Sequence, residues 1–255
     1  MTKKFIAAMR CATLAAGSTL VAMSGAIAAD ITVLSGGAVE PGLHAAVALF
    51  EKQSGHHVKI TFNTTPLIQK RLEAGEKFDV IVAPPAAIDG FVKSGAVEAK
   101  GIVVGKVGIG VAARPGAPVP ELSSTDALKR SIAESDSIVF NKASSGIYIE
   151  NLLKKIGVWA SVEPKAVRYA DGASVMEHLL KGKGNEFGFG AMTEIVLYKD
   201  KGLKLIGPLP ADVQNYTSYT ASLTSTGKSA AAAQELVASF ATPSARKAFA
   251  DNGVE

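Results

Sequence analysis

Four times along this chain a short β-rich run ends in Ser, Thr, Asp or Gly and passes directly into an amphipathic helix. The first is residues 31–38, ITVLSGGA, followed by a helical pattern that puts Leu43, Val47 and Phe50 on one face. Thr64 and Thr65 open the second helix ahead of Pro66, Ser144, Ser145 and Gly146 the third, and residues 171–174 (DGAS) the fourth. Strands alternating with helices at this rhythm predict a parallel α/β sheet, in which every βα turn emerges at the carboxyl edge. First helical turns carry unpaired N–H groups and a partial positive charge, so four of them together predict an anion site. Singly, each turn is also what a good N-cap requires.

The remaining pattern fits two such series. Residues 57–62 alternate as a strand, and residues 78–83 form a nearly continuous apolar run of the buried kind. Residues 103–113 are a long β-rich run, and RPGAPVP (114–120) after it is the strongest break in composition. The first crossing between lobes is therefore expected at that loop. Beyond it the pattern predicts helices at 125–133, 147–156, 175–180 and 194–198, with strands at 137–140, 166–169, 186–189 and 203–206. Residues 214–223 read as an extended strand returning the chain to the first lobe, before closing helices at 229–240 and 244–250. The expected organisation is one lobe from 30–112 with 213–255, and a second from 113–212.

Residues 1–29 read as an export leader. Lys3, Lys4 and Arg10 precede an apolar stretch too short and small-residue-rich to span a membrane, and Ala26-Ile27-Ala28 suits cleavage near Ala28–Ala29. That cut removes the single cysteine, Cys11, and with it any disulfide or thiolate chemistry. It also removes three basic and no acidic residues, so the net charge falls from +4 to +1. The remaining basic residues are dispersed and not interleaved with aromatics, which argues against nucleic acid. A periplasmic monomer is expected. The histidines have no metal-ligand spacing, and no nucleotide-binding or nucleophile motif occurs, so neither metal nor cofactor is predicted.

Candidate ligand-binding residues follow from the turns: Ser35, Gly36, Thr64, Thr65, Ser144, Ser145 and Gly172. Lys142 and Arg168 stand close enough in sequence to pair with an oxyanion. Asp171 opposes an anion unless it pairs with Arg168 or turns away. Asn215, Tyr216 and Tyr219 offer donors from the returning strand.

ITVLSGGAVEPGL, FNTTPLIQKRLEAG, FDVIVAP, SSGIYIENLLKKIGVW and TPSARKAFADNG together resemble the periplasmic molybdate-binding proteins of the type II solute-binding fold. The similarity spans nearly the whole chain after the leader. It implies two α/β lobes joined by two crossing strands and a ligand closed between them. In that family two hydroxyls, backbone N–H groups and a tyrosine hold the oxyanion, which implies roles for Ser35, Thr64 or Thr65, Ser145 and Gly172. Where the family has its tyrosine this chain has Ala191, and its second loop carries threonines before a proline. Residues 205–223 resemble a divergent branch that includes bacterial aconitate isomerase. Two functions are therefore implied: delivery of a small anion, organic acid or oxyanion, to an inner-membrane ABC importer, or interconversion of cis- and trans-aconitate. For the isomerase, Lys142 and Arg168 suit the carboxylates, and Tyr148, Asp171, His44 and Glu194 are candidates for proton transfer.

Overall fold

The computed structural model describes residues 28–99 and 101–255, so nearly all of the expected leader lies outside the described residues. The chain begins β1 (Asp30–Gly36), α1 (Glu40–Ser54), β2 (His57–Asn63), α2 (Thr65–Glu73), β3 (Val80–Ala83) and α3 (Pro85–Lys93). Strands β1, β2 and β3 are parallel. Side chains alternate across the sheet, and each face has its own helices. Ile31, Val33, Val80 and Val82 pack with Leu43, Val47 and Phe50 of α1. On the other face Leu34, Ile81 and Ala83 pack with Ile68 of α2 and with Ile88 and Phe91 of α3.

A second series follows: β4 (Ile102–Ala113), α4 (Thr125–Glu134), β5 (Ser137–Asn141), α5 (Ser144–Lys155), α6 (Trp159–Val162), β6 (Ala166–Tyr169), α7 (Gly172–Lys181), β7 (Glu186–Ala191), α8 (Met192–Val196) and β8 (Lys204–Pro208). The chain closes with β9 (Tyr216–Leu223), α9 (Ala230–Ser239) and α10 (Pro243–Asp251). Here too both faces are covered. Phe140, Phe187 and Phe189 pack with Leu128 of α4 and Leu152 of α5, and Val139 packs with Val175, Met176 and Leu179 of α7.

The strand order is β2-β1-β3-β9-β4-β7-β5-β6, with β8 on β4. This is a two-lobed α/β fold of the type II binding-protein kind, joined through antiparallel β4 and β9. Strand β4 pairs with β9 as far as Gly108 and with β7 from Ile109 onward. The change of lobe thus falls inside an unbroken strand, upstream of the 114–120 loop where composition suggested it. The Gln214 side chain marks the spot, accepting from the Ile109 amide at 3.3 Å and donating to its carbonyl at 3.0 Å.

Three helices start earlier than their apolar periodicity suggests. α5 begins at Ser144, α7 at Gly172 and α8 at Met192, so the small polar residues form first turns rather than loops. At α7 a cap explains this: Asp171 Oδ1 accepts from the Ser174 amide at 2.8 Å.

Candidate functional site: the gap between the lobes

The turns at the carboxyl ends of β1, β2, β5, β6 and β7 meet at one cavity of about 40 Å³. Gly36, Gly37 and Ala38 line it from the first lobe beside Asn63, Thr64 and Thr65. Asn141, Ser144, Ser145, Gly172, Ala191 and Glu194 face them from the second. Val107–Ile109 of β4, with Thr217 and Tyr219 of β9, form its wall at the crossing. The space suits a few waters or the head of a small anion.

Two long helices point their first turns at this space. Asn141 Oδ1 accepts from the amides of Ala143 at 3.0 Å and Gly146 at 3.1 Å, and its Nδ2 donates to Ser145 Oγ at 3.1 Å. The Ser144 and Ser145 amides are left with no intrahelical acceptor. At α7 the Asp171 cap takes the Ser174 amide and leaves those of Gly172 and Ala173. Gly146 makes the tight approach possible, since a Cβ there would stand 1.8 Å from the Asn141 carbonyl oxygen.

No Lys, Arg or His lines the cavity among the described residues, but one acid does. Glu194 sits at the third position of α8, and burial raises its carboxyl to about 7 against an opposing Ala191 N–H, with the charges of Asp171 and Glu40 adding. The Tyr219 phenol is also pushed well above its ordinary range, by burial and then by Glu194. Beyond Glu194 the cavity opens into an outer chamber of about 420 Å³. Phe62, Leu67, Leu197 and Tyr198 give that chamber apolar walls, while Glu40, Asp171 and Lys201 bring charge to it.

Of the residues expected from sequence, Gly36, Thr64, Thr65, Ser144, Ser145 and Gly172 line the cavity. Four are placed elsewhere. Ser35 is still within β1, fully buried between Phe62 and Val82 on its neighbouring strands, and its hydroxyl donates to the Gly36 carbonyl at 3.0 Å. Lys142 is exposed and outside the lining. Arg168 is paired with Glu150 of α5, lies 4.8 Å over the Phe140 ring and donates to the Asn141 carbonyl at 3.4 Å, so it stands behind the lining and does not pair with Asp171. Asn215 serves the crossing instead, its carbonyl accepting from the Ile109 amide at 3.2 Å.

Among the proton-transfer candidates, Tyr148 donates to the Val213 carbonyl at 2.9 Å and His44 is exposed against Phe62. Asp171 caps α7 and faces only the outer chamber, which leaves Glu194 in the inner one. Asn141 was not singled out from sequence, though a polar residue ending a buried strand (IVFN) was its signal.

Residues 31–255 match the family described as bacterial extracellular solute-binding protein, and the chain belongs to it. It is 29% identical to an aconitate isomerase from Pseudomonas sp over 96% of this chain and 97% of that protein. The fold is similar to the periplasmic molybdate-binding protein of Azotobacter vinelandii, with a TM-score of 0.74 and 15% identity over 88% of this chain and 98% of that one. It is also similar to the sulfate-binding protein SubI of Mycobacterium tuberculosis H37Rv, with a TM-score of 0.72 and 18% identity over 89% and 86%.

Proposed function

We propose that this protein is an exported, monomeric binding protein that closes its two lobes on a small organic acid and presents it to an inner-membrane importer. The observation that carries the reading is the convergence of the α5 and α7 first turns, with the Thr64 and Thr65 turn opposite, on one cavity without a basic side chain. Backbone amides and hydroxyls solvate a carboxylate head there. The outer chamber, with Phe62, Leu67 and Leu197, accommodates a carbon skeleton that a bare oxyanion lacks. A leader cleaved near Ala28–Ala29 and a periplasmic location belong to the same reading.

A thermal-shift screen with trans-aconitate, citrate, sulfate and molybdate tests it. Carboxylates are expected to raise the melting temperature, because a ligand bound only by the folded state stabilises it. A shift with molybdate alone would overturn the assignment to organic acids.

A second reading, aconitate isomerase, is favoured by Glu194. A carboxyl near 7 inside the ligand cavity is matched to proton transfer at neutral pH. It would take a proton from the methylene carbon of the substrate and return it at the far alkene carbon, leaving composition unchanged. The 29% identity with the Pseudomonas enzyme supports the same idea. Chromatography of trans-aconitate incubated with the protein decides it, and no conversion removes the isomerase.

A further inference from the structure

Glu194 is difficult to reconcile with a site for anions unless it contributes a proton. Its carboxyl lies under turns from both lobes: a Cβ on Gly172 would stand 2.2 Å from Oε2, and one on Gly37 would stand 2.9 Å from Oε1. Both positions are glycine, and the carboxyl fills the space a side chain would take. No cation among the lining residues holds it ionised. The titratable groups around it are Asp171 at the start of α7, Glu40 at the start of α1, Tyr198 after α8 and Tyr219 on β9. Lys201 is in the outer chamber. The balance of those charges is negative, and a second carboxylate brought into the same small cavity would face direct repulsion.

We propose that Glu194 carries a proton when ligand is bound and donates it in a hydrogen bond to an oxygen of the bound carboxylate, so that anion and proton enter the site together. This rests on the anion-binding reading above and goes beyond it by naming the residue that sets the charge state of the complex. In the closed pair one proton is shared between two carboxyl groups, and no covalent bond is made or broken. Burial and the neighbouring acids favour the protonated carboxyl, and the amides of α5 and α7 are left for the remaining ligand oxygens. An acid in the first turn of α8 thus acts as a donor toward ligand.

Calorimetric titration of the intact protein with trans-aconitate tests this, because that probe's own carboxyl groups stay ionised between about pH 6.5 and 8.5. Affinity is expected to fall by roughly tenfold per pH unit above about 7. Titrations at pH 8.5 in two buffers of different ionisation heat should show close to one proton taken up per ligand. Glu194→Gln keeps an N–H donor but cannot titrate, and its affinity should vary less than about threefold over the same range. Wild-type affinity that is flat with pH, or no proton uptake at pH 8.5, overturns the proposal on the unmodified chain and leaves the binding reading standing. A Glu194→Gln protein that keeps the full pH dependence overturns it as well. Absence of binding at every pH is a different failure and sinks the reading beneath it.

Discussion

The Thr193 hydroxyl of the second lobe donates to the Ala38 carbonyl of the first, across 155 residues of sequence and at 2.5 Å. Both groups are buried, and Thr193 is the residue immediately before Glu194. A contact of this kind exists only while the lobes are together. It ties the turn after β1 to the start of α8 by protein atoms alone.

Thr193→Val keeps the shape and removes the donor. Leaving the Ala38 carbonyl buried and unpaired costs roughly 1–3 kcal/mol in the arrangement that makes this contact. Small-angle scattering of the unliganded variant should report a larger radius of gyration, with weaker binding of whichever probe stabilises the wild type. Unchanged scattering and affinity would show that the contact contributes nothing.

The half-buried Glu194 makes stability depend on pH in a defined direction. Its folded value of about 7 lies above the ordinary carboxyl value of 4.5, so the folded state holds a proton that the unfolded state has released. The stabilisation is complete below about pH 4.5, declines as pH rises through 7 and is absent above it. On an order-of-magnitude basis the loss is about 3 kcal/mol. Urea unfolding at pH 5 and pH 8 should therefore show wild type losing stability that Glu194→Gln retains.

Asp79 sets the opposite dependence. Burial opposes its charge, but hydrogen bonds from Ser229, from the Thr32 hydroxyl and amide and from Lys228 outweigh that and hold the carboxyl below its usual value. These bonds are 2.7 Å to the Thr32 hydroxyl and 2.8 Å to each of the Thr32 and Ser229 amides. A depressed value means stabilisation present above the unfolded value of about 4, lost as pH falls through the folded one. Asp79→Ala should cost roughly 2–4 kcal/mol at neutral pH and flatten the acid limb of the stability curve.

Gly146→Ala places a methyl group against the Asn141 backbone, and neither side can yield without breaking the bonds that shape the α5 turn. The expected result is a melting temperature lower by several degrees and at least a tenfold loss of ligand affinity. A well-folded Gly146→Ala protein with full affinity would show that the α5 turn is not part of the site.

Arg168→Met separates the lining of the cavity from the scaffold behind it. The arginine is engaged by Glu150 and Phe140. Its loss should lower stability by about 1 kcal/mol or less and leave ligand affinity within about twofold. A large loss of affinity in calorimetry would return Arg168 to the site.

These residues also mark the limit of what the sequence discloses. The βα units and the anion-friendly turns were legible because strand alternation, helix periodicity and caps are written in neighbouring residues. The turns that hold Thr64, Ser145 and Gly172 could be located in the chain on that basis. The setting of Arg168 could not be read that way, since its partner Glu150 is on α5, and only packing of α5 beside β6 brings them together. Glu194 read as one candidate acid among several, because its burial depends on Gly37 in the opposite lobe. The change of lobe at Ile109 left no trace in composition: an extended strand exchanges neighbours without altering its own residues. The Pro-rich stretch at 114–120 looked more like a joint.

Connecting the halves through the paired ribbon of β4 and β9 has a mechanical result. Two antiparallel strands hydrogen-bonded edge to edge resist sliding past one another, because a slip would break every rung of the ladder. The same ribbon fixes which turns stand opposite one another, Ala38 against Thr193 and Gly37 against Glu194.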